Sequence, residues 1–297
     1  MSLKVANYYV CLRKRKLDSV VDDKKLLGEF TIIKNPVFYW VADPFLITLN
    51  GVSYIIAEMG SKITGKGCIG IYDIDSKKGK WIKFFAPSYH ISFPNTFCNR
   101  DGKLFFIPET FENGEVSIYE MDIKAKKQKL IKTLFLSNNS VDTVFTINTK
   151  TSLPKYLFSY DIEKENARLS MRKEDDYKVK IFEIIDYKKR LRPAGNIFEL
   201  GDKMYLPTQN CERRYGGGLI FNQIKIGSNS FSLEEIKVID SNDINAFLKI
   251  HNAIGCHTYN INDDYEVIDI IKEEFSLLGI LRKIVSKLRR KSHQISQ

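Results

Sequence analysis

Five residues that could take part in acid–base or ionic chemistry recur along the chain at similar intervals: Asp43, His90, Asp142, Arg192 and His257. Their successive separations are 47, 52, 50 and 65 residues. A carboxylate can accept a proton or bind a hydroxyl group, and a histidine exchanges its proton near neutral pH. An arginine can hold a phosphate by two parallel hydrogen bonds. A fold that brings the five together would make one site of mixed charge.

Other polar residues at the ends of neighbouring apolar segments extend this candidate site. We expect the catalytic residues to be Asp43, Asp142 and Glu109, the last in the string IPET. The expected substrate-binding residues are Glu58, His90, Arg192, Gln209, Arg213, Arg214, Tyr215 and His257. Arg192 with Arg213 or Arg214 could clamp a phosphate group.

Each candidate also has a purely structural explanation. Asp43 and Asp142 could cap turns, as aspartate often does, and His90 and His257 could bond to neighbouring backbone. Their recurrence at equivalent places favours a shared site over five unrelated caps. The run 216–218 is three glycines without the lysine or the strand–helix context of a phosphate-binding P-loop. No ligand spacing demands a metal, and no cofactor is expected.

The elements that must position these residues are strands joined by tight turns. Asn50-Gly51, Asp101-Gly102 and Gly201-Asp202 each separate two apolar runs, which is the pattern of a β-hairpin. Pro207 lacks the N–H that a ladder needs, so we expect strand pairing to end there. A period near fifty residues, with about four strands in each unit, is typical of a β-propeller.

The sequence therefore predicts an all-β fold, a five-bladed β-propeller over residues 1–272. A strand over residues 3–12 would complete the last blade and close the ring. An irregular array of β-sandwiches is the structural alternative. Residues 273–297 form a separate tail, for which we expect a short C-terminal amphipathic helix.

The charge and cysteine content restrict the class of protein. The formal net charge is +10, but the basic residues cluster near the two ends, and a basic pI alone does not identify a nucleic-acid partner. The five cysteines form no CxxC pair and leave one unpaired, which argues against a disulfide framework. With no recognisable leader or transmembrane run, we expect a cytoplasmic protein that binds no nucleic acid.

The tail carries a basic amphipathic pattern. Its apolar residues at helical spacing are Leu277, Leu278, Leu281, Ile284, Val285 and Leu288. The basic residues between Leu277 and Lys291 are Arg282, Lys283, Lys287, Arg289, Arg290 and Lys291, with no acidic residue among them. This pattern indicates a helix on an anionic membrane surface, at the inner face of the plasma membrane. The alternative is a helix that packs on the propeller with a solvated basic edge.

With these units in view, the chain resembles a known family. The strings ADPFLI, HISFP, IPET, RPAGNIF, PTQNCERRYG, FNQI and HTYN followed by EVID, within residues 35–271, resemble the propeller domain named for the N-terminal part of glucosamine inositolphosphorylceramide transferase. That family is similar to the five-bladed clan of arabinanases, levansucrases and invertases. The resemblance implies the fold, and the chemistry only loosely.

The clan's glycosidases have a base or nucleophile on the first blade, a modulating carboxylate on the third and a glutamic acid that protonates the leaving group. By this resemblance Asp43 in ADPF matches the base and Asp142 in VDTVF the modulator. Glu109 lies on the second blade and Glu58 on the first, so neither matches the acid securely. The fourth blade instead offers Gln209 and Arg192. This departure argues against simple hydrolysis, which needs a positioned acid as well as a base.

Three classes of function remain. A glycosyltransferase would bind an activated sugar donor and a glycan or lipid-linked acceptor beside the membrane. A glycoside hydrolase would use Asp43 and a glutamic acid, and a non-catalytic propeller would bind glycan or a partner enzyme. The arginines of the candidate site, the unpaired cysteines and the basic tail favour a transferase of cell-surface polysaccharide or glycolipid synthesis.

Overall fold

The computed structural model describes residues 4–15, 30–76, 79–148, 150–162, 167–175, 178–248 and 252–275, together with Leu277 and Ile280. These residues form five antiparallel sheets around a common axis, so the five-bladed β-propeller is confirmed. The first strands in the chain are β1 (Lys4–Lys14) and β2 (Thr31–Ile32), and blade 1 follows with β3 (Tyr39–Leu49), β4 (Val52–Ser61), β5 (Gly67–Asp73) and β6 (Ile82–Phe85).

Blades 2 to 4 repeat the plan of blade 1, with four strands in sequence order. Blade 2 has β7 (Ser92–Cys98), β8 (Leu104–Glu109), a single 3-10 turn at Phe111–Asn113, β9 (Glu115–Asp122) and β10 (Lys127–Leu136). Blade 3 has β11 (Ser140–Ile147), β12 (Pro154–Asp161), β13 (Arg168–Asp175) and β14 (Lys178–Ile185). Blade 4 has β15 (Phe198–Leu200), β16 (Lys203–Gln209), β17 (Gly218–Ile226) and β18 (Phe231–Asp240).

Blade 5 joins the two ends of the propeller and closes the ring. Its C-terminal part is β19 (Ala253–Gly255), β20 (Tyr259–Ile261) and β21 (Tyr265–Phe275), and β1 and β2 supply its outer strands. β1 pairs with β21 from Lys4 opposite Phe275 to Lys14 opposite Tyr265. A buried ion pair between Arg13 and Glu266 crosses this seam. The expected closing strand is confirmed.

The helix α1 (Ser241–Leu248) lies between blades 4 and 5. It accounts for the longer separation of 65 residues between Arg192 and His257. Of the expected tail helix, Leu277 and Ile280 are helical, and the rest of the segment Leu277–Lys291 lies outside the described residues. Within the part of the chain that is described, no helix is both long and apolar enough to cross a membrane.

Pro207 does not end strand pairing, so that expectation was wrong. It lies inside β16 opposite Phe221, and the strand continues to Gln209. The Pro207 carbonyl accepts a hydrogen bond from Ala194 N, which lies in the innermost segment of the blade. The N–H and C=O of one residue in an antiparallel strand point to the same neighbour, so the N–H that Pro207 lacks would also have faced this segment. That segment is irregular before β15, and the missing donor therefore interrupts no regular ladder.

One apolar cluster joins blades 1 to 4. Phe45, Phe93, Val144 and Leu206 come from four different blades, and each is at most 1% exposed. The rings of Phe45 and Phe93 meet edge to face with centroids 4.9 Å apart. Phe45 and Val144 lie two residues beyond Asp43 and Asp142 along their strands. Buried apolar side chains therefore follow these two carboxylates closely along their strands.

Candidate functional site

A pocket of about 190 Å³ lies on the axis, at the face where the inner strands begin. All five recurring residues meet in it: Asp43, His90, Asp142, Arg192 and His257. Its other lining residues are Tyr8, Trp40, Glu58, Ser92, Glu109 and Tyr215. Its volume is below the roughly 300 Å³ at which pockets for drug-sized ligands begin, so it suits a group the size of one sugar ring. Eight of the eleven site residues expected from the sequence are therefore together.

A repeated backbone distortion aims the two aspartates into this pocket. Asp43 and Asp142 have φ of 49° and 48°, and each lies at a β-bulge in the inner strand of its blade. Phe93, with φ of 43°, occupies the same place in blade 2. Bulges redirect a side chain out of the regular alternation of a strand, and a positive φ costs free energy for residues other than glycine. His90 lies three residues before the blade 2 bulge, so Phe93, not His90, is the true counterpart of Asp43.

Asp43 is buried and held on both sides by blades 2 and 5. Its Oδ1 accepts a hydrogen bond from Thr258 Oγ1 at 2.9 Å, and its Oδ2 accepts one from Phe93 N at 3.3 Å. His257 Nε2 lies 3.8 Å from Oδ1. Burial raises the pKa of Asp43 to about 6, against the opposing effect of the positive charge on His257. Near neutral pH this carboxylate is ionised and basic enough to accept a proton.

His257 lies between Asp43 and a second carboxylate that the sequence analysis did not select. Its Nδ1 is 2.5 Å from Asp269 Oδ2, and Asp269 Oδ1 also accepts hydrogen bonds from the backbone N–H groups of His257 and Thr258. Burial lowers the pKa of His257, but Asp269 and Asp43 outweigh it and raise that pKa to about 9. The only sequence signal for Asp269 is a lone acid inside the apolar strand VIDII.

Asp43, His257 and Asp269 could each offer one ligand atom to a metal ion. All three are buried, and their carboxylate oxygens already accept hydrogen bonds from Thr258, from backbone N–H groups or from His257. The cluster is therefore satisfied as a hydrogen-bonded network, in which Asp269 fixes the ring of His257 and His257 faces Asp43.

On the opposite side of the pocket, Arg192 joins two acids from other blades. Its Nε donates a hydrogen bond to Asp142, and its Nη2 lies 3.9 Å from Glu109 Oε2. Burial and the nearby charge of Asp142 raise the pKa of Glu109 well above its usual range. Glu109 therefore keeps its proton to a higher pH than an ordinary glutamic acid does. A carboxyl group with a raised pKa beside an ionisable aspartate is an arrangement suited to general acid and general base roles.

Gln209 lies beside Asp142 and does not line the pocket. It is buried, and its Nε2 lies 3.5 Å from Asp142 Oδ2 and 3.4 Å from Pro193 O. In this place Gln209 bears on Asp142, and its expected substrate-binding role stays a prediction.

Glu58 and His90 form a further pair at the pocket edge, with His90 Nε2 3.5 Å from Glu58 Oε1. Gly67 N donates to His90 Nδ1 at 2.9 Å, which assigns the ring proton to Nε2. Burial lowers the pKa of His90, and burial with the neighbouring acids raises the pKa of Glu58 well above its usual range. Both shifts favour neutral groups that can hydrogen-bond to a ligand.

Aromatic rings line the rest of the pocket wall. Tyr8 stacks on His257 with ring centroids 5.0 Å apart, and Trp40 tilts against Tyr8 at 4.9 Å. Tyr215 meets His257 edge to face at 5.4 Å and lies under the Arg192 guanidinium at 5.0 Å. Tyr8 and Trp40 were missed by the sequence analysis. Tyr8 comes from the closing strand, which therefore builds the site as well as the ring.

A larger groove of about 630 Å³ adjoins the pocket between blades 3 and 4. Arg192 and Tyr215 line both spaces. Arg213 and Arg214 are exposed and line the groove, not the pocket, together with Lys189. Among the described residues, neither of these two guanidinium groups has a hydrogen bond or an ion pair. The other groove residues are Tyr160, Ile162, Ala167, Ile185, Asp186, Tyr187, Cys211 and Glu212.

The architecture and the pocket define a five-bladed β-propeller with a carboxylate-rich site on its axis. Residues 34–263 match the family described as glucosamine inositolphosphorylceramide transferase 1, N-terminal, and the chain belongs to this family. It is 32% identical over 83 residues to glucosamine inositolphosphorylceramide transferase 1 of Arabidopsis thaliana. That match covers 27% of this chain and 11% of the plant protein, so the chain spans only a small part of its relative's length.

Solved structures with a similar fold include glycoside hydrolases. A family 43 β-xylosidase/α-arabinofuranosidase from a compost microbial metagenome has a TM-score of 0.52 at 12% identity, covering 80% of this chain and 91% of that one. A family 117 glycoside hydrolase of Zobellia galactanivorans has a TM-score of 0.50 at 11% identity, covering 91% and 92%. An exo-β-1,3-galactanase of Clostridium thermocellum has a TM-score of 0.50 at 14% identity, covering 77% and 59%. At these identities the likeness concerns the fold alone.

Proposed function

We propose that this protein is a glycosyltransferase of cell-surface polysaccharide or glycolipid synthesis. The observation that carries the proposal is that the acidic axial pocket adjoins a groove lined by exposed arginines. The axial pocket fits one sugar ring among acids, and the adjoining groove offers Arg213 and Arg214 to a phosphate. An activated sugar donor has both parts, a sugar ring and a phosphate-bearing leaving group.

In this proposal Asp43 is the base that takes the proton from the acceptor hydroxyl. Its pKa of about 6 and its burial suit that step. Glu109, protonated beside Asp142, hydrogen-bonds to the sugar or to the departing oxygen. Arg213 and Arg214 hold the phosphate and stabilise the negative charge that grows on it as the glycosidic bond breaks. The anomeric carbon then exchanges its bond to the phosphate oxygen for a bond to the acceptor oxygen, and the phosphate-bearing group leaves with the bonding electrons.

The proposed acceptor is a glycan or a lipid-linked glycan at the cytoplasmic face of the plasma membrane. The basic sequence of the segment Leu277–Lys291 supports this location, because clustered Lys and Arg residues attract anionic lipid. The name of the family and of the plant relative supports a transferase-related role for the domain.

A glycoside hydrolase is the second candidate, because Asp43 and Glu109 are two carboxyl groups with raised pKa in one pocket, and glycoside hydrolysis also uses a pair of carboxyl groups. The groove favours the transferase over the hydrolase, since a neutral glycoside has no phosphate for Arg213 and Arg214 to bind.

The decisive experiment measures sugar transfer from nucleotide sugars and sugar phosphates to lipid-linked acceptors, with plain hydrolysis followed beside it. Arg213→Ala with Arg214→Ala should raise the donor Kd at least tenfold, about 1.4 kcal/mol, and should flatten its salt dependence. Lys129→Ala with Lys132→Ala, two exposed changes on β10, is the matched control. Faster hydrolysis of neutral glycosides, indifferent to the two arginines, would favour the hydrolase. Glycan binding without turnover of any donor would favour a non-catalytic binding domain.

A further inference from the structure

The two faces of the propeller expose different residues in their loops. The face that holds the pocket is the one where β3, β7 and β11 begin, and β4, β8, β10 and β21 end there. In the described part of the chain, the large apolar residues exposed at this face are Val37, Phe38, Ile63, Phe111, Leu136, Ile162, Ile185, Tyr187, Tyr215, Phe275 and Leu277. On the opposite face the described turns are rich in Asn, Asp and Gly, and the exposed large apolar residues in or next to them are Ile82, Ile147, Leu153 and Val179.

The most prominent apolar group is the tip of blade 1, made of Val37, Phe38 and Ile63. These side chains are 72%, 54% and 56% exposed. The two loops that carry them are tied together, because Lys62 donates to Phe38 O from its backbone N at 2.8 Å and to Val37 O from Nζ at 3.2 Å. The tip is therefore a hydrogen-bonded structure that holds apolar side chains in water. Exposed apolar groups of this kind mark interaction surfaces.

The segments that form this tip carry basic residues, and one acid, Glu274 of β21, lies within electrostatic reach of Lys62. Residues 34–41 and 59–72 contain Lys34, Lys62 and Lys66 and no acidic residue. The chain leaves β21 at Phe275, which pairs with Lys4 at the pocket face. The sequence from 276 to 297 that follows is also basic and contains no acid. Basic side chains beside exposed apolar ones are the combination that binds the interface of an anionic bilayer.

The exposed apolar residues are also distributed around the pocket. Blade 1 contributes its tip, blade 2 contributes Phe111 and Leu136, blade 3 contributes Tyr187, and blade 5 contributes Phe275. Separate tips on four blades match a broad, flat surface better than a single complementary groove. A bilayer is such a surface.

We infer that the pocket face of the propeller docks on an anionic membrane. Val37, Phe38 and Ile63 insert at the headgroup level, and the mouth of the axial pocket faces the lipid. The inference adds to the proposed membrane location, because it assigns the contact to folded loops and fixes which way the pocket points. Vesicle binding is measured without donor or acceptor, so its result is independent of the transfer chemistry.

The test uses the full chain and vesicles of phosphatidylcholine with about one third phosphatidylserine, with pure phosphatidylcholine for comparison. The triple change Val37→Ser, Phe38→Ser and Ile63→Ser should lower the partition coefficient at least roughly tenfold, because binding scales with buried apolar area. Ile147→Ser with Leu153→Ser, on the opposite face, is the matched control and should leave partitioning within about twofold. These side chains are all exposed, and circular dichroism checks that each variant is folded.

A second measurement tests the orientation even if the basic tail dominates the affinity. Tryptophan at position 38 (Phe38→Trp) should be quenched by brominated phosphatidylcholine in anionic vesicles, beyond the signal of the native Trp40 and Trp81. Tryptophan at position 153 (Leu153→Trp) should show no added quenching. Equal quenching at both positions, or unchanged partitioning of the triple variant, would overturn the inference. A change of oligomeric state without a change in vesicle binding would instead assign this face to contacts between copies of the chain.

Discussion

Arg192 of blade 4 donates a hydrogen bond from Nε to the carboxylate of Asp142 in blade 3, and both side chains are largely buried. The positive charge of Arg192 is therefore balanced by the carboxylate of Asp142. The phosphate-clamp role expected for Arg192 stays a prediction, and in the structure its guanidinium bonds to the Asp142 carboxylate. It holds Asp142 and Glu109 together across the pocket, and the exposed Arg213 and Arg214 are the groups left for a phosphate.

This pair leads to a prediction about stability. Arg192→Met should lower the free energy of unfolding by about 3–5 kcal/mol, because it leaves the charge of Asp142 buried without a partner. Adding Asp142→Asn to Arg192→Met should restore part of that loss, since the neutral amide needs no counter-ion. Urea unfolding of the two single variants and the double variant measures the coupling. Strictly additive losses would contradict the assigned role.

A second prediction concerns the seam between blades 4 and 5. Gly195 has φ of 141°, and a Cβ there would lie 1.9 Å from Tyr259 O. Gly195→Ala should therefore cost more than Gly102→Ala, where φ is 73° and a Cβ would meet nothing within 4 Å. The Gly102 change carries only the cost of a left-handed backbone, about 1–2 kcal/mol. Thermal unfolding of the two variants compares them, and equal losses would show that the seam relaxes around the new methyl group.

The protonation of His257 gives a third prediction. Its pKa in the folded protein is about 9, above the ordinary value of 6.5, so the folded state binds this proton more tightly than the unfolded chain does. Its contribution to stability is complete below pH 6.5 and is lost as the pH rises through 9. The shift corresponds to roughly 3 kcal/mol. In urea unfolding between pH 6 and 10, the free energy of unfolding of His257→Gln should lack this pH-dependent part. If the stability of the variant falls by the same amount over this pH range, His257 is excluded as the source.

The sequence was sufficient for the fold and for most of the pocket, because both follow from the repeat. A period near fifty residues placed Asp43, Asp142 and Arg192 on different blades, and the strong turn at Asn50-Gly51 is where it was expected. The register within a blade was not predictable in the same way. A bulge adds residues to one strand. Nothing in the residue types showed that Phe93, and not His90, would occupy in blade 2 the position that Asp43 occupies in blade 1.

The remaining site residues depend on contacts between distant parts of the chain. Asp269 matters because it bonds to His257 across the blade, and Tyr8 because ring closure stacks it on the same imidazole. Neither belongs to the repeat of inner-strand residues that guided the sequence analysis. Arg213 and Arg214 follow the fourth-blade strand so closely that they were expected in the pocket, yet the turn directs them into the adjoining groove.

The last prediction concerns Asp43 as the base. Asp43→Asn keeps the size of the side chain and can keep the hydrogen bond to Thr258, but it removes the charge that accepts a proton. Ligand affinity should stay within about tenfold, while turnover should fall at least roughly a hundredfold, the usual effect of losing a positioned acid–base group. In the unaltered protein kcat should rise as the pH increases through about 6, where this carboxyl ionises, and that limb should be absent in the variant. Asp202→Asn, in an exposed turn on the opposite face, is the matched control. Turnover of Asp43→Asn equal to that of the control would remove Asp43 from the chemistry and leave it as a structural carboxylate that joins blades 1, 2 and 5.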